Sequence, residues 1–348
     1  MAAGDFSNTV LKALQFKTDQ VWEGERRNQE FMAETSTIEA LRANQNASVN
    51  IFEGTAERDN NAVEISWLVS SGITGTQDSA SACTPSGTEL ESGKKTYTLS
   101  FDKEAATPLK VKRWGELRDN IMDDGSQVAL GLLKMDKELS EQINTSAHAR
   151  LVSFKGQNKM PTGTLEGWDI TTANTYIDSA KWDENLFVEM AISNRWNKYS
   201  NPFMIHGMNY LKDSAIYGFD RVNDNERDKI LKLTQFPHYF DPVTFATQSV
   251  SNNSYMVDAN SVAFASKHYH TSVTQQKADV VTFPYESRNL PGVTFDVTVT
   301  SVCENSEDGK RETYSDVYQM RAKYDIFNAP TIVTGDTGVL EIIKGSRP

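Results

Sequence analysis

Residues 124–153 constrain the fold more than any other stretch. In the run Ser126-Gln-Val-Ala-Leu-Gly-Leu-Leu-Lys-Met-Asp-Lys-Glu-Leu-Ser-Glu-Gln-Ile-Asn144, the residues Val128, Leu132, Met135, Leu139 and Ile143 recur at steps of three and four. On a helix they form one apolar stripe, the core of a long amphipathic element. Lys134, Lys137, Glu138, Glu141, Asn144 and His148 fall on the opposite side, and Leu130 and Leu133 widen the apolar face in the first half. Asp124 with Gln127 resembles a capping box, the neighbouring Asp123 charge suits a helix N-terminus, and Gly156 is a natural stop. A helix of roughly 27 residues would be about 40 Å long and about twice the usual length. It reads as a beam on which other elements lean.

The flanking sequence changes character several times. Residues 1–45 read as an arm of short amphipathic pieces, with a helical hairpin in the core as the alternative. Val63–Val69 and Lys95–Phe101 alternate as two strands, joined by the Ser-, Thr- and Gly-rich stretch Ser70–Gly87. A two-stranded ribbon is marginal alone. Its apolar residues Ile65, Trp67, Tyr97, Leu99 and Phe101 are therefore expected at a subunit interface, the alternative being a hairpin folded on its own domain. Leu109–Arg113 is a third strand, and Trp114, Leu117 and Ile121 lead towards the long helix.

Asn158–Gly163 reads as a linker. Beyond it, residues 164–292 read as mixed helix and strand. A helix spans Ala180–Lys198, with Trp182, Leu186, Phe187, Met190, Ala191 and Trp196 on its apolar side. A buried strand follows at Pro202–His206, then a helix capped by Asn209 and running to Tyr217, and a polar helix over Asp224–Gln235. Tyr255–Ala265 contains two strand-like runs around a turn. Val293–Val302 and Tyr314–Phe327, joined across Glu304–Gly309, form a long antiparallel hairpin expected to pack on the long helix. The fold class is α+β, and no internal repeat is evident.

Composition excludes several functions. A net charge of -12 argues against gripping nucleic acid through its phosphates. The start of the sequence has neither the basic nor the apolar segment of a signal peptide, and no window is apolar enough to span a membrane. Cys83 and Cys303 supply neither a disulfide framework nor zinc spacing, and a reducing site of synthesis is expected; they are expected to be two unrelated free thiols, the alternative being that they meet between subunits where the ribbon crosses a neighbour. His268-Tyr-His270 is the one metal-like pair, since alternate strand positions share a face. It lacks a carboxylate motif, so a metal-dependent hydrolase using His268 and His270 is the alternative from another class. His206 and His238 have no local nucleophile signature, phosphate-binding glycine motifs are absent, and no cofactor or metal is expected.

The order of arm, ribbon, long helix, mixed segment and return hairpin resembles that of the major capsid protein of tailed bacteriophages with the HK97-type fold. Met256-Val-Asp-Ala-Asn-Ser-Val-Ala-Phe-Ala265 is similar to the late strand-turn-strand of that family. Asp316-Val-Tyr-Gln-Met-Arg-Ala-Lys-Tyr-Asp-Ile-Phe-Asn-Ala-Pro330 is similar to its closing strand. The resemblance implies an HK97-like capsid fold: an N-terminal arm at 1–45, an E-loop at 46–110, a P-domain at 111–163 and 293–330 carrying the spine helix, an A-domain at 164–292, and a C-terminal segment at 331–348. It implies a structural protein without catalysis that self-assembles as pentamers and hexamers into an icosahedral head shell. That shell encloses DNA without reading its sequence, in a virion assembled in the host cytoplasm. A separate scaffolding protein and a portal are implied as partners, because too few residues precede the ribbon for a built-in scaffolding segment. An encapsulin-like compartment shell shares the fold and is the nearest alternative; a tail-tube or adhesin protein is disfavoured by the long helix.

Overall fold

The computed structural model describes residues 8–25, 30–45, 47–51, 62–67, 93–112, 124–165, 168–180, 182–210, 237–270, 272–277, 279–305, 312–329 and 337–347. Several expectations fall outside them: the Ser70–Gly87 tip with Cys83, the Trp114–Ile121 lead-in, the two helices expected between Tyr210 and Gln235, and most of the Glu304–Gly309 turn. The side chain of Asp124 is outside them too.

The described residues form an α+β fold built of three sheets and one long helix. The N-terminal segment forms α1 (Asn8–Glu25) and α2 (Ser36–Asn44). A small sheet joins β1 (Ser48–Ile51), β2 (Ala62–Trp67) and β3 (Gly93–Thr98), all antiparallel. Two short strands, β4 (Phe101–Glu104) and β5 (Leu109–Lys112), precede α3 (Asp124–Ser153). Next come β6 (Gly163–Leu165), β7 (Trp168–Ile170), β8 (Asn174–Ile177), α4 (Trp182–Asn197), β9 (Pro202–His206), β10 (His238–Phe240) and α5 (Pro242–Thr247). The remaining strands are β11 (Asn253–Asp258), β12 (Val262–Lys267), β13 (Thr274–Lys277), β14 (Val280–Glu286), β15 (Thr294–Asn305), β16 (Glu312–Asn328) and β17 (Val339–Lys344).

One seven-stranded sheet runs β12-β16-β15-β14-β13, with β4 and β5 also paired to β16. The 17-residue β16 thus pairs with four other strands. Its alternation explains this: Tyr318, Met320, Ala322, Tyr324 and Ile326 are buried on one face, which packs on α3. The other seven-stranded sheet runs β10-β9-β11-β17-β8-β7-β6. One of its faces (Phe203, Ile205, Tyr255, Val257, Val339) joins the same core, and the other (Met204, Met256, Leu340, Ile342) packs with Met190 of α4.

Two boundaries differ from the sequence reading. The turn at Asp258–Ser261 carries the chain from one large sheet to the other, so β12, β13 and β14 join the sheet of the return hairpin rather than the strands of 164–258. And β17, from the segment set apart as C-terminal, lies inside the second sheet, antiparallel to β11 and parallel to β8. Periodicity identifies strands but carries no information about which strand a run will pair with. On α4, Trp196 is 50% exposed and so lies off the apolar side to which its spacing assigned it.

Helix α3 has 30 residues and spans about 45 Å. Close approach of β5 is possible because a Cβ at Gly131 would overlap the Leu109 side chain. Val128, Leu132, Met135, Leu139 and Ile143 are all buried, each contributing about 1.5–3 kcal/mol by leaving water. A second buried stripe was not expected. Asp136, Ser140, Asn144 and His148, four apart, are polar and fully or almost fully buried. Asn144 and His148, placed by the sequence on the solvent side, in fact meet α2, α5 and β11. The Asn144 side chain accepts from the Ile38 amide at 2.9 Å, and so satisfies an N-terminal amide that α2 leaves without an intrahelical partner. Its Nδ2 donates to Asp241 and Thr244, both at 2.7 Å. Asp241, buried, also accepts from Thr37 and caps α5 through the Thr244 amide. Two turns of helix earlier, Asp136 accepts from Ser140, from Ser287 and from the Arg288 amide. Burial pushes its carboxyl above the ordinary range while these donors pull it back.

This ladder leads to a prediction for the folded chain. Asn144→Ala should lower unfolding stability by about 2–4 kcal/mol, because it leaves the Ile38 amide and part of the Asp241 carboxylate unpartnered. Lys134→Ala, on the exposed side, should change it by less than about 0.5 kcal/mol. Urea unfolding midpoints of the two variants check both halves; equal losses would show that the polar stripe carries no stability.

Candidate functional site

Among the described residues, one group has the connectivity of a nucleophile, a base and an orienting partner. Ser254 Oγ lies 2.9 Å from His206 Nδ1, and His206 Nε2 lies 2.8 Å from His238 Nδ1. The three come from β11, β9 and β10, where Ser254 is the register partner of His206 and β10 runs parallel to β9. Sequence reading finds no local motif here because the residues meet only through sheet pairing.

The geometry is nevertheless unsuited to catalysis. His206 is fully buried, Ser254 is 1% exposed, and the Tyr210 ring stacks on His206 with centroids 3.6 Å apart. A nucleophile must be reachable by its substrate, and a general base works best with a pKa near the operating pH. Burial instead lowers His206 well below the ordinary histidine value and His238 to about 4. Both rings are neutral at pH 7 and act as packing and hydrogen-bonding groups.

The His268/His270 pair also fails as a metal site. Strand β12 ends at Lys267, so alternation along a strand does not place the two residues on one face. The His270 amide donates to Asp296 at 3.2 Å, and its Nε2 lies 3.2 Å from Gln276 Nε2. Asp296 also accepts from the Tyr269 amide, so its carboxylate is already engaged in fixing the loop. Among the described residues no group of three or more His, Cys, Asp or Glu side chains could hold a metal ion. Cys303 is a free, exposed thiol.

The ribbon base is where the structure departs most from expectation. It has three strands, because β1 adds to β2 and β3. Its apolar face is covered by the chain itself. Val63, Ile65, Trp67 and Leu99 are buried against Ala263, Ala265 and Phe327 of β12 and β16. Tyr97 accepts a hydrogen bond from Trp67 Nε1 at 2.9 Å, and its ring lies 4.7 Å from that of Phe327. Phe101 stacks on Tyr324 at 5.2 Å and carries the Arg150 guanidinium 4.8 Å above its ring. Asp325, almost fully buried, ties the exit of the ribbon to α3: it pairs with Arg150 at 2.9 Å and accepts from the Ser100 amide at 3.0 Å. The five residues expected at a subunit interface thus seat the ribbon on the chain's own sheet. The five of the long helix form part of the central core.

No protein-family model matches the sequence, and no curated protein matches it. Among solved structures, the chain is similar to the mature capsid of bacteriophage PhiM1, with TM-score 0.42 and 7% identity over 83% of each chain. It is similar to the capsid of cyanophage Pam1, with TM-score 0.38 and 10% identity over 85% of this chain and 88% of that one. It is also similar to a virus-like particle from Pyrococcus furiosus, with TM-score 0.35 and 8% identity over 72% and 78% of the two chains.

If the histidines are packing groups, the protein should behave as a metal-free chain. After incubation with equimolar zinc and desalting, elemental analysis should find well under one zinc per chain, and His268→Ala/His270→Ala should leave that value and the melting temperature unchanged. Stoichiometric zinc lost in the double variant would restore the hydrolase reading.

Proposed function

We propose that this chain is the repeating subunit of a closed icosahedral shell, the major capsid protein of a tailed bacteriophage with the HK97-type fold, acting structurally and not as an enzyme. In this reading α3 is the spine helix. Together with the β15–β16 hairpin sheet it makes the peripheral domain, and the β10-to-β6 sheet with α4 makes the axial domain. Helices α1 and α2 are the N-terminal arm, here laid along the subunit's own spine helix.

The observation that carries the reading is the anchored ribbon. Strands β2 and β3 are paired to their ends, Trp67 with Gly93, and their apolar face is seated on the peripheral sheet. The 25 residues between those ends are rich in Ser, Thr and Gly and poor in apolar groups, so they suit contact with another surface better than a core of their own. A fixed base with a long polar extension supports reaching a neighbour, since closed assemblies need interfaces wider than a compact body offers. The interface in this reading is residues 68–92, not Ile65, Trp67 or Leu99. The net charge of -12 suits a container whose wall does not adhere to packed DNA. Pentamers and hexamers, a separate scaffolding protein and portal, and assembly in the host cytoplasm complete the proposal.

Replacing residues 72–86 by Gly-Gly tests it. The variant should keep the circular dichroism and melting temperature of the parent, because the ribbon base is retained. It should not form closed particles by negative-stain microscopy under conditions where the parent chain does. Normal particles from the variant would remove the ribbon from assembly.

A further inference from the structure

The ribbon base takes up only part of the hairpin-sheet face that is turned away from α3. On β14, β15 and β16 the side chains of Val281, Phe283, Val297, Val299 and Met320 lie in the central core, so Thr282, Thr298 and Arg321, which alternate with them, stand on the opposite face. Strand pairing sets Thr274, Thr282 and Thr298 side by side across β13, β14 and β15, and Asp296 beside Arg321. These residues line a cavity of about 410 Å³. That is the size of a small-molecule site and far more than an ordered water needs. Tyr269 and His270, just beyond the end of β12, and Gln276 of β13 complete its wall.

The wall is fixed by its own bonds. Asp296 accepts from the Tyr269 amide at 2.8 Å and from the His270 amide at 3.2 Å, one with each oxygen. The Tyr269 hydroxyl accepts from Lys323 Nζ at 2.6 Å, and the hydroxyls of Thr282 and Thr298 lie 3.3 Å apart. Arg321 is forked onto Asp102 through Nε and Nη2. A site ordered in advance gives up less conformational freedom when it binds.

The chemistry of the lining selects the class of ligand. A wholly apolar molecule would desolvate hydroxyls, an amide and a guanidinium without replacing their hydrogen bonds. A cation would meet Arg321. An anion would meet the Asp296 carboxylate, and a guanidinium whose charge Asp102 already balances. A neutral group that both gives and takes hydrogen bonds fits all of these. Threonine hydroxyls and the Gln276 amide do both, and Arg321 retains N–H groups beyond the two given to Asp102. The Tyr269 ring adds an apolar surface. A sugar ring has hydroxyls around its rim and C–H groups on its faces, and so matches both kinds of wall. We propose that this cavity is a carbohydrate subsite that takes one neutral hexose-type unit. It belongs to the single chain and does not rest on the shell reading.

Saturation-transfer NMR on the full chain is the test, with glucose, galactose, mannose and N-acetylglucosamine as probes and sodium acetate as the anionic competitor. At least one of the four sugars should bind with a midpoint of about 1–10 mM, and equimolar acetate should not displace it. Thr298→Val removes one hydroxyl of the lining at nearly constant shape, and Gln276→Ala shortens an exposed side chain on β13. Each should weaken binding by about fivefold or more. Thr300→Val, two residues along β15 and outside the cavity, should leave it unchanged. Gln276 is exposed, so its variant decides the matter even if Thr298→Val does not fold. Four results would overturn the subsite: no binding of any of the four sugars, parental affinity in the cavity variants, an equal loss in Thr300→Val, or displacement by acetate.

Discussion

A single buried amide, that of Asn144, settles how the helical parts of this molecule are arranged. It joins α3 to the first turn of α2 and, through Asp241, to the cap of α5. Apolar stripes can slide along one another by a turn at modest cost, whereas a buried hydrogen-bonding set tolerates one register only, since any other leaves charged or polar atoms without partners in a low dielectric. Asp136, binding Ser287 and the Arg288 amide, repeats the arrangement two turns earlier for the β14–β15 turn. That turn in turn holds the N-terminal segment, since Asn289 accepts from the Ala33 amide and Arg288 pairs with Asp19. The beam is thus apolar where it supports sheet and polar where it positions the segments that cross it.

The two large sheets share this helix but serve different ends. The hairpin sheet offers one face to the helix and part of the other to the ribbon base, so a small three-stranded unit can stand on it without a core of its own. The second sheet is covered on both faces, by the central core and by α4, which is why β9 is buried at all five positions and shows no alternation in its sequence.

What the sequence disclosed follows from what periodicity can encode. The stripe Val128 to Ile143 and the alternation of β15 and β16 are local patterns, and both elements are present where those patterns place them. Partners are not local. Nothing in Val339–Lys344 marks it as an interior strand, and nothing near His206 reveals Ser254 or His238, which reach it through pairing across the sheet. Polar residues usually face solvent, and Asn144 and His148 read that way; the donors and acceptors of α2 and α5, far away in sequence, make the burial of Asn144 affordable, while His148 is packed edge-on against the rings of Phe245 and Tyr255. The ribbon base is a related case: the small residues Ala263 and Ala265, distant in sequence, belong to the seat on which Trp67 and Ile65 pack.

The interior position of β17 bears on how the molecule comes into being. Strand β8 finds its parallel neighbour more than 160 positions later, through pairs such as Thr175 with Ile342. Until residues 339–344 have left the ribosome, β11 and β8 have a gap between them, and Ile342 and Leu340 are missing from the core under α4. Pairings this distant in sequence form slowly, because the closure entropy is met before the contacts reward it. The second large sheet of the nascent chain therefore stays incomplete until residues 339–344 have been made.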